Sequence, residues 1–351
     1  MPKVTVLMPA YNTGKYIKEA IDSVLAQTFE DFELLIMKNP SQDNTLEMIK
    51  SYNDDRIILV ENETLLPLVS SLNSGLSFVT GDYIARMDSD DFSSSDRLEK
   101  QVRFLDDNPS VGLVCSAIDI IDFEGNELDS NVIDILTSED IYYTLNSRNC
   151  IAHGSTMFRR DVIDTVGEYN EDKVAAEDYD LWNRVSKKFI IHKLTDSLYT
   201  WRVHSTSICS TQSDTQLKTA YSVFRNNVLC LLNKDVDDKL TKLMWDNFCN
   251  TKYTDASTYT REELITIAKL IKNINNAIII ATPHGLDIRK IEKLGNEKHM
   301  RYLIVMSKKL GLHKTLELTN EINENTRGKA EIISHLCNNI IKENINHLKA
   351  I

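Results

Sequence analysis

Three features of this 351-residue sequence predict an α/β fold, a mostly parallel sheet flanked by helices and followed by a helical C-terminal region. Strand-sized runs rich in Val, Ile and Leu alternate with amphipathic stretches through the first half. Acidic and aromatic clusters stand directly after several of those runs. Beyond about Thr215 the pattern is helical throughout.

The apolar runs lie at residues 4–8, 34–37, 57–60, 83–87 and 113–118, with the length and composition of buried strands. Between them, Tyr16, Ile17, Ala20, Ile21, Val24 and Leu25 mark one helical face. Leu68, Val69, Leu72, Leu76 and Val79 mark a second, and Leu98, Val102 and Leu105 a third. Three- and four-residue spacing of this kind puts apolar side chains on one side of a helix. The order β-α-β-α calls for parallel strands joined by helical crossovers, with ligands at the carboxyl ends of the strands. Further strands are expected at 155–158, 189–194 and 198–203, with a helix starting near Glu177. Helices are expected at 215–232, 236–250, 261–273, 298–310 and 329–348. A domain boundary is placed near Ser213, separating 1–213 from 214–351.

With 42% hydrophobic and 26% charged residues the chain can bury a full core. The start shows no secretion-signal pattern, and the longest apolar stretches, such as 277–281, fall far below the roughly 20 residues needed to cross a bilayer. Six scattered cysteines (Cys115, Cys150, Cys209, Cys230, Cys249, Cys337) lack zinc-site spacing and read as reduced thiols of a cytoplasmic protein. The net charge of −12 argues against nucleic acid as a partner. Residues 215–351 hold 21 Lys/Arg against 15 Asp/Glu, so all of the negative excess falls on residues 1–214.

Chemistry concentrates in three places. Asp88, Asp90 and Asp91 follow the strand at 83–87, and such a cluster suits Mg²⁺ or Mn²⁺ bridging a diphosphate; a solvated turn or helix cap accounts for it equally well. Pro9, Ala10, Tyr11 and Asn12 end the first strand, where a turn and a ring could hold a nucleobase, or simply lead into a helix. Glu177 and Asp178 open a helix, either as a general base and its support or as acids favoured by the helix dipole. Arg86 is placed to pair with Asp88 or with a phosphate. Gly154 would let a sugar approach the backbone, unless an ordinary turn requires it. Trp182 is a candidate stacking surface for an acceptor sugar, with a place in the core as the alternative.

Taken in order, VTVLMPAYN (4–12), IDSVLAQTF (21–29), GDYIARMDSDD (81–91), HGSTMFRR (153–160), EDY (177–179) and WRVH (201–204) resemble the family 2 glycosyltransferases over about residues 3–208. The resemblance implies a GT-A fold in 1–213 and inverting, metal-dependent transfer of a hexosyl or N-acetylhexosaminyl group from a nucleotide sugar. The donor is expected to be a UDP-sugar, and the acceptor a glycan or lipid-linked acceptor in surface polysaccharide synthesis. It assigns Pro9, Ala10, Tyr11, Asn12 and Ser89 to the nucleotide pocket, Asp88 to the ribose, Asp90 to Mn²⁺ or Mg²⁺ and Asp178 to the base. Glu177 supports that base, and His204 completes the metal or phosphate site.

The match breaks after the second strand. An acidic pair is usual there; here Lys38 and Asn39 stand in its place, so Asn39 would face the base with an amide that accepts or donates. That departure also motivates a different reading, a non-catalytic homologue that binds a glycan or a partner protein. In the tail, Arg289, Lys290, Lys293, Lys298, Arg301, Lys308, Lys309 and Lys314 outnumber their acidic neighbours. They form either a solvated face or a contact with anionic lipid or a phosphate-bearing acceptor. The helical region 214–351 is accordingly assigned to acceptor, peripheral membrane or homo-oligomer contacts.

Overall fold

The computed structural model describes residues 1–128, 137–205, 207, 211–246 and 260–310. The expected helix at 329–348, the end of the one at 236–250, Cys209, Cys249, Cys337 and Lys314 lie outside the described residues, as do the side chains of Arg301, Lys308 and Lys309. By internal contacts the chain divides into Met1–Val223 with Pro283–Leu286, and Phe224–Thr282 with Asp287–Ile351.

The first unit is built on an eight-stranded sheet of order β3-β2-β1-β4-β7-β6-β8-β5. Its strands are β1 (Val4–Ala10), β2 (Phe32–Lys38), β3 (Ile57–Glu61), β4 (Tyr83–Arg86), β5 (Phe92–Ser93), β6 (Val111–Ile121), β7 (Met157–Arg159) and β8 (Ile190–Arg202). The helices α1 (Ile17–Leu25), α2 (Thr45–Lys50) and α3 (Leu68–Leu76) supply the crossovers that make β1, β2, β3 and β4 parallel. After them come α4 (Arg97–Asp107), α5 (Ser138–Leu145), α6 (Arg160–Val166), α7 (Glu177–Ser186) and α8 (Ser213–Leu232).

Beyond β4 the sheet departs from the parallel expectation. β7 runs antiparallel to both β4 and β6, and β5 runs antiparallel to β8. The start of the expected strand at 155–158 is a 3₁₀ turn, His153–Ser155. The two strands expected at 189–194 and 198–203 are one strand, β8. Its exposed Thr195, Asp196 and Ser197 fall where the register against β6 shifts, from Ser116 opposite Leu194 to Ala117 opposite Ser197. A bulge passes through these polar residues without ending the pairing.

Strand alternation sorts the core onto two faces. Val4, Val6, Met8, Leu34 and Ile36 pack with Ile17, Ile21, Val24, Leu98 and Leu105. Leu7, Leu35, Met37 and Ile84 pack with Leu72, Tyr179, Trp182 and Val185. Each such side chain contributes about 1.5–3 kcal/mol on burial, so the sheet is held rigidly between its helices. The helical faces read from the sequence are the buried ones.

In the second unit, α9 (Asp238–Met244), α10 (Arg261–Ile280) and α11 (Ile288–Leu310) are described. Helix α10 starts at a Thr260–Glu263 capping box, which pairs two otherwise orphaned N–H groups. It packs on α11, where the Asn275 amide donates to the Gly295 carbonyl at 2.9 Å. Both helices run further than expected: α10 continues through its Asn-rich segment because Ile274 and Ile278 keep the apolar stripe buried, and α11 starts ten residues earlier, at Ile288, with Ile291 buried. Among the described residues no helix is long and apolar enough to cross a membrane.

Candidate active site

The acidic turn after β4 gives its three carboxylates three different partners. Asp91 is buried; its two oxygens accept from the Tyr199 hydroxyl at 2.6 Å and the Arg202 backbone amide at 2.7 Å. Burial, together with the charges of Asp88 and Asp90, holds its carboxyl well above the usual range. Asp91 is therefore a brace between the turn and β8. Asp88 accepts from Arg86 Nη2 at 2.8 Å, and its own amide donates to the Tyr199 hydroxyl oxygen at 3.2 Å. Asp90 directs Oδ2 at His204 Nε2, 2.8 Å away, while its carbonyl accepts from Arg202 Nε. Ser89, between them, is buried.

Two residues that sequence reading missed hold this turn. Arg97, fully buried on α4, donates to the carbonyls of Arg86 (2.8 Å) and Thr156 (3.1 Å), to Ser93 Oγ and to Gln101 Oε1. It thereby ties β4 to the segment entering β7. Tyr199 is the second, and neither carries a local signature: an Arg on a polar helix and a Tyr in a strand are ordinary surface or core residues until the tertiary partners are known. Arg202 likewise reaches Glu19 of α1 at 2.5 Å.

The second acidic group enters α7 through Ala175, whose φ of 63° is unusual for a residue with a Cβ. The loop before it is anchored by Asn73 of α3, whose amide donates to the Tyr169 carbonyl and accepts from the Tyr169 amide. Asp178 is fixed on both oxygens, by Asn149 Nδ2 at 2.7 Å and by the Tyr179 amide at 2.7 Å. Burial raises its carboxyl to about 6 even though these bonds favour the charged form. Glu177 beside it is raised to about 7, by burial and then by the charge of Asp178.

At the end of β1, Tyr11 is 43% exposed, and Asn12 takes a left-handed φ of 52°. The Asn12 amide accepts from the Gln42 N–H while its own N–H donates to Ser41 Oγ, locking two strand-end loops together. Pro9 is partly exposed.

Several expected assignments change. The Ala10 side chain is core, and only its carbonyl is used, accepting from the Asn39 amide. Asn39 is 6% exposed, and its side chain is spent internally: Nδ2 donates to the Leu66 carbonyl, and Oδ1 accepts from Asn62 Nδ2 and the Leu66 amide. It organises the 62–66 loop and does not face a base. Trp182 is 0% exposed, edge-on to Phe158 and His153, so its ring is core and not a sugar platform. A Cβ on Gly154 would meet Tyr199 Oη at 2.0 Å, so the glycine makes room for that tyrosine rather than for a sugar. Arg86 is 1% exposed and pairs with Asp88, the structural alternative to a phosphate contact.

A strand-end aromatic loop, an acidic turn and an acid pair at the start of a helix packed on this sheet define a GT-A type glycosyltransferase. The family model of glycosyl transferase family 2 matches residues 5–167. The chain is 32% identical over 244 residues to an uncharacterized glycosyltransferase of Haemophilus influenzae, covering 66% of this chain and 75% of that one. It is 31% identical over 213 residues to the O-antigen biosynthesis glycosyltransferase WbnJ of Escherichia coli, covering 58% and 81%. In fold it is similar to S. aureus TarS 1-349 crystallised with UDP-GlcNAc, at a TM-score of 0.56 and 20% identity over 93% of this chain and 91% of that one. The chain belongs to glycosyltransferase family 2.

Proposed function

We propose that the protein transfers a sugar from a nucleoside diphosphate donor, a UDP-sugar first among candidates, to a glycan or lipid-linked acceptor in surface polysaccharide synthesis, with inversion at the anomeric carbon. The observation that carries this reading is Asp178: a half-buried carboxylate fixed on both oxygens and raised to about 6, close to the acidity a general base needs at neutral pH. Asp178 takes the proton of the acceptor hydroxyl as its oxygen bonds to the anomeric carbon. The bond from that carbon to the diphosphate breaks, and the nucleoside diphosphate leaves with the electron pair. Glu177 keeps the acceptor and Asp178 in register.

Tyr11 offers its exposed ring to the base, Pro9 and Asn12 shape the pocket, and Asp88 and Ser89 lie toward the ribose. Asp90 and His204, 2.8 Å apart, form a carboxylate–imidazole pair of the kind that suits Mn²⁺ as well as Mg²⁺. Among the described residues no third His, Cys, Asp or Glu completes a cluster with them, so diphosphate oxygens and water would fill the remaining positions. When bound, the cation offsets the charge that builds on the leaving group. The helical second unit, with Arg289, Lys290 and Lys293 exposed on α11, is assigned to acceptor, membrane-surface or homo-oligomer contacts, and the protein to the cytoplasm.

The test is a panel of nucleotide sugars with Mn²⁺, followed by Asp178→Asn. Loss of a general base lowers transfer by about 10²–10⁴-fold with donor binding retained. Wild-type transfer by the variant would remove Asp178 from the role. Binding of no donor by the intact protein would instead favour a glycan- or partner-binding homologue.

A further inference from the structure

Resting on that donor reading, we propose that Lys15 is a diphosphate-binding residue, held at the rim of the site by two aromatic rings until a nucleotide donor arrives. Lys15 lies on the β1–α1 loop, four residues after Tyr11. Its ammonium is 4.9 Å from the centre of the Tyr16 ring and 5.7 Å from that of Phe123. The same Tyr16 ring is 5.2 Å from the His204 ring and 4.9 Å from the Arg202 guanidinium carbon, and His204 contacts Asp90. Contacts thus link Asp90 and His204, through the Tyr16 ring, to the Lys15 side chain.

Charge decides what that ammonium is for. Asp88 and Glu19 are paired with arginines and Asp91 is braced by Tyr199 and the Arg202 amide, which leaves Asp90, Glu177 and Asp178 as the carboxylates whose negative charge a diphosphate entering the site must meet. The nearby arginines do not relieve it at the surface: Arg86 is buried on Asp88, Arg97 is buried on carbonyls, and Arg202 is buried on Glu19. Lys15 is exposed and makes no ion pair with a carboxylate among the described residues. A cation–π contact at an exposed site is worth only about 0.5–1 kcal/mol. It orients the ammonium yet yields readily to a phosphate oxygen, for which lysine acts as a point charge.

Phe123 is 53% exposed but rigidly mounted. The Asp122 carboxylate accepts from the Glu124 and Asn126 amides and from Asn126 Nδ2, and Gly125 turns at φ 94°. An aromatic residue on so fixed a turn serves as a wall that limits where Lys15 can swing.

The test is calorimetry with Mn²⁺ on wild type, Lys15→Met, Lys15→Arg and Phe123→Ala, using UDP, GDP and dTDP and the matching nucleosides as probes. For whichever diphosphate wild type binds, Lys15→Met is expected to lose about tenfold in affinity and Lys15→Arg to retain most of it. Affinity for the nucleoside, which lacks phosphates, stays unchanged in all variants, and Phe123→Ala loses a few-fold for the diphosphate alone. Equal weakening for nucleoside and diphosphate, or undiminished diphosphate binding by Lys15→Met, overturns the Lys15 assignment and leaves the donor reading standing. No diphosphate binding by wild type removes the donor reading, and this inference with it.

Discussion

Substituting Gly154 by alanine is expected to be among the most damaging single-methyl changes in the first unit. The added Cβ would lie 2.0 Å from Tyr199 Oη and 2.1 Å from Cζ, and the ring cannot slide away freely because its hydroxyl holds both Asp91 and the Asp88 amide. Forcing a side chain into a packed core costs about 1–3 kcal/mol, and a displaced tyrosine gives up a hydrogen bond to a carboxylate worth about 1.5–3 kcal/mol. Together, about 2.5–6 kcal/mol is lost from a domain whose whole stability is of the order of 5–15 kcal/mol. Urea unfolding of Gly154→Ala, Tyr199→Ala and the double variant measures this as a coupling energy. With the ring gone the alanine has space, so its cost in the Tyr199→Ala background should drop by at least about 2 kcal/mol. A Gly154→Ala protein as stable as wild type, or a cost unchanged by removing Tyr199, would show that the glycine is not there for the tyrosine.

Transfer should depend on pH through the acid pair. The base acts ionised, and with Glu177 and Asp178 raised to about 7 and about 6, kcat/KM is expected to rise with pH through the range 6 to 7 and then level; an acidic limb near pH 4 refutes a base raised in this way. Asn39→Ala should lose about 2–4 kcal/mol by breaking three hydrogen bonds of the 62–66 loop. It should leave the ranking of donor bases unchanged, and a switch in base preference would put Asn39 back in the pocket. Trp182→Phe should cost about 1–3 kcal/mol in stability through the space it leaves while the acceptor KM stays put; a raised KM with intact stability would place the ring at the acceptor after all.

The parts of the molecule that were legible in the sequence are those governed by local period and by strand-end position. Ile17, Ile21 and Val24 lie on the buried face of α1 because three- and four-residue spacing leaves no other choice, and the acidic turn ends β4 because a strand that apolar cannot contain three aspartates. The family was legible for the same reason, since its motifs stand at strand ends. What failed concerned residues whose job depends on a distant partner. Gly154 reads as an open backbone until Tyr199 is set against it, Asn39 as a pocket residue until the 62–66 loop folds over it, and Trp182 as a sugar platform until Phe158 and His153 cover it. The polar interruption in β8 reads as a break between two strands, because a bulge differs from a turn only in what the neighbouring strand does.

The pairing of Asp90 with His204 joins residues 114 positions apart, and Asp91 reaches Arg202 across a similar span. Both contacts lie beside the β5–β8 pairing, which joins Phe92 to Thr200 and is a longer closure than β1 onto β4. A partly folded chain with β1 to β4 already in place would carry the aspartates without the imidazole. If a cation binds this pair as proposed, its capture reports completion of the fold. A ligand that binds there, absent any affinity for the unfolded chain, also draws the folding equilibrium toward the finished enzyme by mass action.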